Sequence, residues 1–349
     1  MKLYSLGKVP WQDSQLIYHA LAEMGREALS LVSPATPYVC IGFHQDVDQE
    51  VDLEYCRAKG IPVFRRDLGG GAVYLDGDQL FFQIILRKDN PEVPKSKESF
   101  YRKFLEPVIQ VYRRIGIPAQ YKPVNDVITG TRKISGTGVG EIGDCIVFVG
   151  NLIVDFNYDE MSRILKVPDE KFRDKVHKTL KDNLTTIRRE VGEEMVKGWD
   201  EATLNAMMAE EFQEIMGTME PSEKDSALAA KIKDLEARMV TDAWLYQKGK
   251  RVSGRDVKIR AGLNVVHRVH KAQGGLIRAD FEVMDGRFGK VALSGDFFCF
   301  PQGAVKELEE SLKGRAKEEA KTVVAGFYAR GDVDTPGITV NDWMHVLAF

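Results

Sequence analysis

The sequence predicts an α+β protein, with mixed or antiparallel sheets flanked by helices and a smaller α+β domain at the C-terminal end. Three observations predict it. Short apolar runs of strand length are interleaved with stretches whose apolar residues recur at helical period. The segment from 125 to 156 carries strand patterns separated by glycine-containing turns. After Trp244 the composition returns from helix-like to strand-like, and a chain of 349 residues already exceeds what one hydrophobic core usually supports.

Taken in order, Asp13 or Ser14 is placed to cap a first helix that carries Leu16, Ile17, Ala20, Leu21 and Met24 on one face. Strand-like runs follow at 37–42, 61–65 and 80–86, with a short helix at 51–59 between the first two. From 97 to 115, Phe100, Phe104, Val108, Val111, Tyr112 and Ile115 recur at helical spacing, and Ile-Gly-Ile-Pro at 115–118 ends the helix. The stretch 125–156 reads as a β-meander with turns at Gly130-Thr131 and Gly143-Asp144, which sets residues Asn125 to Gly138 side by side. Residues 157–240 read as mainly helical, with the charged run 221–239 as a connecting helix. Strands are expected at 261–270, 275–284 and 288–298, and helices near 302–313 and 316–328. The expected domains are therefore 1–240, with a helical connector at 216–240, and 241–349.

Bulk properties exclude several classes. Charged residues make up 29% of the chain but the net charge is only -3, which fits neither a basic nucleic-acid surface nor a polyacidic tail. Cys40, Cys56, Cys145 and Cys299 are scattered, without a C-x-x-C pair or a His/Cys cluster, and read as reduced, mostly buried thiols. No apolar stretch approaches the roughly 20 residues of a membrane span, and the opening MKLYSLGKVPWQDSQ lacks an apolar leader-type segment. A cytoplasmic protein with no nucleic-acid and no membrane partner is expected. The basic run KGKRVSGRDVKIR at 248–260 reads as a solvated face, or else a place to dock an acidic domain. His267 and His270 are three apart in a strand, hence on opposite faces and unsuited to a metal pair. Trp244 and Trp343 read as core or interdomain packing residues.

Two segments carry chemistry. In RRDLGGGAVYLD at 65–76, Gly69, Gly70 and Gly71 lie between two strands, where they cost backbone entropy unless the main chain needs special dihedrals or lets something approach closely. Such a loop can present N–H groups to phosphate or carboxylate oxygens, and Arg65 or Arg66 would add charge. The plainer reading is a glycine hairpin with two surface arginines. In NDVITGTRKISGTG at 125–138, Lys133 sits in a strand and is followed by Ser135, Gly136, Thr137 and Gly138, which leave room for a ligand against the backbone. A lysine on an inner face needs an anionic partner; alternatively it reaches solvent from an ordinary hairpin.

In this order and spacing, R-R-x-x-G-G-G-A-V-[FY] and N-D-x-x-x-x-x-[RK]-K-I-[SA]-G resemble the lipoate-protein ligase family, whose fold also serves biotin ligases and octanoyltransferases. PYVCIGFHQDVDQEVD before the loop and GNLIVDFNYDEMSRILKVPDEKFRDK and VHKTLKDNLTTI after the lysine extend the resemblance over 1–215, and the segment beyond 241 is similar to the accessory domain of these ligases. The resemblance implies a class II biotin/lipoate ligase-like fold and an ATP-dependent enzyme. Lipoate or octanoate would be converted to the acyl-AMP, and the acyl group passed to a lysine of a lipoyl-domain acceptor protein. It makes Lys133 the catalytic cation, contacting both the acyl carbonyl and the phosphate. Arg66, Gly69, Gly70, Gly71 and Ala72 match the adenylate loop, Val73 and Tyr74 flank the adenine, and Gly136 and Thr137 complete the binding site. Asp126 is implied either to orient Lys133 or to hold Mg2+ against the phosphates.

The chain departs from the family where H-D-x-G-N is replaced by Leu75-Asp76-Gly77-Asp78-Gln79, so that Gln79 stands in place of a nucleotide-binding asparagine. It departs again where His-His-Gly-Thr is replaced by Phe148-Val149-Gly150-Asn151. Two other functions fit the same fold. An octanoyl or lipoyl carrier-protein transferase would need a cysteine thioester, and neither Gly116 to Ala119 nor Val167-Pro168, the places where such a cysteine falls, holds one. A non-catalytic lipoyl-binding scaffold is opposed by the retained lysine.

Overall fold

The computed structural model describes residues 1–123, 125–167, 172–247, 257–260 and 263–348. Most of the basic run at 248–260, and Pro168, lie outside the described residues. The fold is α+β, and the chain forms two compact units. One comprises Met1–Cys40, Asp52–Phe64 and Val73–Trp244; the other comprises Ile41–Val51, Arg65–Ala72 and Leu245–Phe349. The chain thus leaves the first unit twice before Leu245, which a single cut between 240 and 241 does not anticipate. Tertiary bonds explain the excursions: Glu50 pairs with Arg278, Gly295 N donates to His44 O at 3.1 Å, and Gln302 Nε2 donates to Asp67 O at 2.6 Å.

Strands are numbered in chain order: β1 (Lys2–Val9), β2 (Ala28–Pro34), β3 (Tyr38–Ile41), β4 (Val63–Arg65), β5 (Val73–Leu75), β6 (Gln79–Arg87), β7 (Gln120–Lys122), β8 (Asp126–Thr129), β9 (Arg132–Ser135), β10 (Thr137–Ile142), β11 (Cys145–Ile153), β12 (Glu220–Pro221), β13 (Val257–Arg260), β14 (Leu263–Ala272), β15 (Gly275–Met284) and β16 (Arg287–Gly295). The first unit is built on a six-stranded mixed sheet in the order β10-β11-β6-β2-β1-β12. Its β10, β11, β6 and β2 pair antiparallel, whereas β1 pairs parallel with both β2 and β12. Every residue of β2 is buried, and so is every residue of β6 except Arg87. Burial of β2 therefore extends to Ser30 and Ser33, so which of its residues are covered does not follow from their polarity.

The helix Trp11–Glu23 connects the parallel strands β1 and β2. Its N-cap is Pro10, so Asp13 and Ser14 fall inside the first turn and do not cap it. Packing sets its start instead, because the Trp11 ring lies 5.2 Å from Tyr38 and 6.0 Å from Phe64. The Ser14 hydroxyl donates to Trp11 O at 2.7 Å. The long helix Lys97–Arg114 is capped by Ser96 and buries Phe104, Val108, Val111 and Tyr112.

The 125–156 region does not remain one meander. Strands β8 and β9 pair in a three-stranded sheet with β7, whereas β10 and β11 belong to the six-stranded sheet, and the chain changes sheets at Gly136. The charged run 221–239 is likewise no free connector. Helix Ser226–Met239 buries Leu228, Ile232, Leu235 and Met239, and Lys231 and Arg238 pair with Glu23 on the first helix at 2.6 and 2.5 Å. Exposed ion pairs contribute about 0–1 kcal/mol each, so the four buried apolar side chains do most to hold this helix.

In the second unit β13 to β16 form an antiparallel sheet in sequence order. Strand β15 alternates buried and half-exposed residues along most of its length, as expected of a sheet with one covered face. Its core includes Phe281, Phe288, Leu293, Phe297, Leu308 and Trp343. Trp343 is fully buried, its indole N–H donating to Tyr328 Oη at 2.8 Å, on a helix Val340–Val346 that the sequence pattern does not announce. His267 and His270 meet separate carboxylates, Asp280 at 2.5 Å and Asp342 at 2.8 Å. Among the described residues no helix is long and apolar enough to cross a membrane.

Candidate active site

Lys133 lies on β9, opposite Ile128 of β8, and its strand is fastened on every side. Lys133 O accepts from Thr185 N at 2.8 Å and Ile134 O from Tyr112 Oη at 2.7 Å. The Ser135 hydroxyl donates to Asn151 O at 2.6 Å. Gly136 N donates to Asn151 Oδ1 at 2.8 Å, and Thr137 Oγ1 donates to Asn125 O at 2.5 Å. These bonds fix the strand that carries the side chain of Lys133. Its ammonium lies 2.6 Å from Asp126 Oδ1, the lysine side chain being 35% exposed and the aspartate 29%. Asp126 is thus in direct contact with the ammonium.

Asp126 offers no metal cage. Among the described residues no three His, Cys, Asp or Glu side chains come together in a way that could hold an ion, and one oxygen of Asp126 is already engaged by the ammonium. Among the described residues, then, nothing forms a cage for an ion held by the protein alone.

Gln79 is 1% exposed, and both ends of its amide are used within the protein. Its Nε2 donates to Tyr74 O at 3.0 Å and its Oε1 accepts from Asn151 Nδ2 at 2.9 Å. Burial and these bonds tie Gln79 to Tyr74 and Asn151. Asn151 links Gln79 to Gly136, so Tyr74, Gln79, Gly136, Thr137, Lys133 and Asp126 form one connected group in the first unit. Tyr74 is buried, which raises its phenol far above the usual range, while Val73 beside it is exposed. Burial also pushes the Asp76 carboxyl up to about 6.

The glycine loop belongs to the second unit. Arg65 is the inward-facing arginine, 1% exposed. Its Nη1 donates to Gly42 O, Phe43 O and Gln45 O at 3.1, 2.8 and 2.6 Å, and its Nε and Nη2 donate to Leu245 O at 3.0 and 2.7 Å. Arg66 turns onto the loop itself: Nη2 donates to Gly69 O at 2.7 Å and to Gly71 O at 3.0 Å. The close neighbour of the glycines is protein. A Cβ on Gly69 would stand 2.7 Å from Phe298 Cδ1 and 2.8 Å from Phe297 O, and one on Gly42 would stand 1.9 Å from Gly70 O. Gly70 has φ +96, a value that side-chain-bearing residues rarely adopt, and its N–H points at Phe297 O from 3.5 Å. Gly71 has no such need, its Cβ position meeting Asp296 Cβ at an ordinary 3.8 Å. Ala72 ends this segment, and Val73 begins the next stretch of the first unit.

Sequence reasoning missed Tyr112 and Thr185 as supports of the lysine strand, since a core tyrosine and a loop threonine carry no distinguishing pattern. Asn151 did leave a signal, as a departure from the family's threonine. All four cysteines are buried thiols outside any disulfide, and burial raises the thiol of Cys145 and pushes that of Cys56 up to about 11.

Comparison with known proteins places this arrangement. The solved structure of P. falciparum LipL1 in complex with lipoate matches the fold with a TM-score of 0.71, over 95% of each chain at 15% identity. The fold is thus shared across almost the whole chain, the C-terminal unit included. Residues 10–213 match the lipoyl protein ligase A/B catalytic domain; the chain belongs to this family and is an enzyme of it. Lipoate–protein ligase 1 of Staphylococcus aureus is 28% identical over 341 residues, 96% of this chain and 92% of the relative. The octanoyltransferase LipM of Kyrpidia tusciae is 22% identical, over 68% of this chain and 92% of the relative.

Proposed function

We propose that this protein is an ATP-dependent lipoate-protein ligase, which forms lipoyl-AMP and transfers the lipoyl group to a specific lysine of a lipoyl-domain protein. The observation that carries the reading is the Lys133 to Asp126 pair at 2.6 Å, at the end of a strand whose main chain is otherwise committed. Amide formation from a free carboxylate needs an activated leaving group, and adenylation supplies it. A lipoate carboxylate oxygen attacks the α-phosphorus of ATP; the bond from that phosphorus to the bridging oxygen breaks and pyrophosphate leaves. The acceptor lysine then attacks the acyl carbon as a neutral amine, the carbon–oxygen bond to the phosphate breaks, AMP leaves and the nitrogen gives up a proton.

Lys133 acts in both steps. Its ammonium offsets the charge of carboxylate and phosphate as they approach, then polarises the acyl carbonyl toward the amine. Asp126 holds the ammonium in place until the ligand's oxygens take it over. Mg2+ enters with the nucleotide as part of the substrate, and no step is routed through it. Arg66, Gly69, Gly70, Gly71 and Ala72 are assigned to the adenylate, with Val73 and Tyr74 toward the adenine and Gly136 and Thr137 beside the phosphate. For Gly70 to offer its N–H to an oxyanion it must release Phe297 O, a contact already long at 3.5 Å.

Pyrophosphate exchange into ATP tests the reading: exchange should require lipoate or octanoate and disappear in Lys133→Ala. A mass increase on a lipoyl domain should require ATP. Acylation of that domain from an acyl-carrier thioester without ATP would favour the transferase reading, which the relative from Kyrpidia tusciae keeps in view. Four buried thiols, with Cys56 held protonated near neutral pH, argue against a cysteine thioester.

A further inference from the structure

We propose that Asn151 and Gln79 are a positioning pair, which fixes the Lys133 strand at the point where the chain passes from one sheet into the other. The proposal rests on the reading of Lys133 as the group that meets the acyl-adenylate. Gly136 is the single residue between β9 and β10, and those strands belong to different sheets. A strand end that changes sheets loses a ladder neighbour, so its position must be set by other bonds. Asn151 supplies three of them: its Oδ1 accepts from Gly136 N at 2.8 Å, its N donates to Gly136 O at 3.2 Å and its O accepts from the Ser135 hydroxyl at 2.6 Å.

The side chain of Asn151 is held in turn by Gln79. Asn151 is 7% exposed and Gln79 1%, so water does not compete freely for these groups. The chain of bonds has one sense. Gly136 N–H requires the carbonyl end of Asn151, which aims Nδ2 at Gln79 Oε1, and that leaves Gln79 Nε2 for Tyr74 O. Reversing either amide would place two donors or two acceptors together in the interior. The two departures from the family noted above are therefore one structural feature, a longer amide at 79 reaching a second amide at 151. An asparagine at 79 is a methylene shorter and cannot hold both partners. Neither residue needs to touch the reacting atoms; both act through Gly136 and the strand that ends in it.

The test uses the full chain and two readouts: steady-state pyrophosphate exchange, and hydrogen exchange at the Gly136 amide followed by NMR. Asn151→Ala should expose the Gly136 amide and lower kcat about tenfold, with KM for ATP and lipoate staying within about threefold. Gln79→Asn should give a smaller loss, also in kcat. The double variant Gln79→Ala, Asn151→Ala should be no worse than Asn151→Ala alone, because one linked element is lost in both. Asn151→Thr, which puts a hydroxyl acceptor in reach of Gly136 N and buries no charge, is the milder variant should the alanine chain not fold, and it should keep the amide better protected than alanine does. A rise in KM for ATP alone in Gln79→Asn would return Gln79 to the nucleotide and overturn the proposal. So would single losses that multiply, or an Asn151→Ala chain with unchanged kcat and Gly136 protection. A wild-type protein that does no exchange would sink the ligase reading, while amide protection would still decide the pair.

Discussion

The hairpin carrying Lys133 and the loop carrying Gly69 to Gly71 read in sequence as two halves of one ligand site, yet their residues answer to different demands. In the loop the demands come from the protein. Arg65 is consumed by backbone carbonyls, Arg66 folds back on the loop, Gly42 and Gly69 admit backbone or ring atoms where no Cβ fits, and Gly70 takes φ +96. In the hairpin the backbone is equally occupied, but the lysine is not needed for packing; it stands one-third exposed against a single carboxylate. A glycine cluster can therefore be required by its own fold, whereas a cation placed in this way is better explained by what it binds.

The largest expected effect tests the hairpin side. Lys133→Ala should lower lipoyl-AMP formation a hundredfold to a thousandfold, about 3 to 4 kcal/mol of transition-state stabilisation, with near-wild-type thermal unfolding. A folded variant with normal exchange would remove the contrast. On the loop side the effect should fall on stability. Gly69→Ala forces a Cβ against Phe298 and Phe297 O and should cost about 1–3 kcal/mol of unfolding free energy, whereas Gly71→Ala, two residues on, should stay within about 0.5 kcal/mol. Equal melting temperatures for these two would show that the close approach of Phe297 and Phe298 is not what the loop is built for.

Asp126→Asn sharpens the comparison within the hairpin. It keeps the shape while removing the negative charge beside the ammonium, and exchange should fall about tenfold, near 1.4 kcal/mol, less than in Lys133→Ala. An effect as large as the lysine's would make the carboxylate more than an orienting group.

The smallest effect concerns Asp76, whose carboxyl burial pushes up to about 6 from 3.8. The folded state binds the proton more tightly than the unfolded chain, so this side chain destabilises increasingly as pH rises from 4 to 6 and fully above that. Asp76→Asn, which keeps an acceptor for Asp78 N, should therefore raise the melting temperature at pH 7.5 and leave it unchanged near pH 4. A gain of equal size at both pH values would exclude desolvation of the charge as its cause.

Much of the fold was legible because the signals were local. Phe100 to Ile115 form the helix their spacing announces, and the turns at Gly130 and Gly143 fall where the glycines stand. What failed did so for identifiable reasons. Asp13 and Ser14 lost the capping role because burial of Trp11 started the helix earlier, and β2 buries two serines that polarity alone would place outside. In the candidate site, Lys133 and Asp126 were recoverable from residue type and spacing and Asn151 stood out as a departure from the family, but Tyr112 and Thr185 were not recoverable. Tyr112 and Thr185 each give the strand one bond from a place far away in sequence.

By itself the sequence determined the α+β class, the family, the positions of most helices and hairpins, and the lysine on which the chemistry is proposed to turn. These depend on periodicity, turn residues and motif spacing, which act over a few neighbouring residues. Only the tertiary structure decided that residues 41–51 and 65–72 join the C-terminal unit, that the glycines receive Phe297 and Phe298, and that Gln79 serves Asn151. Each of those outcomes depends on which distant atoms come within a few ångströms. A hydrogen-bond partner or a steric limit has no one-dimensional trace until the chain has folded.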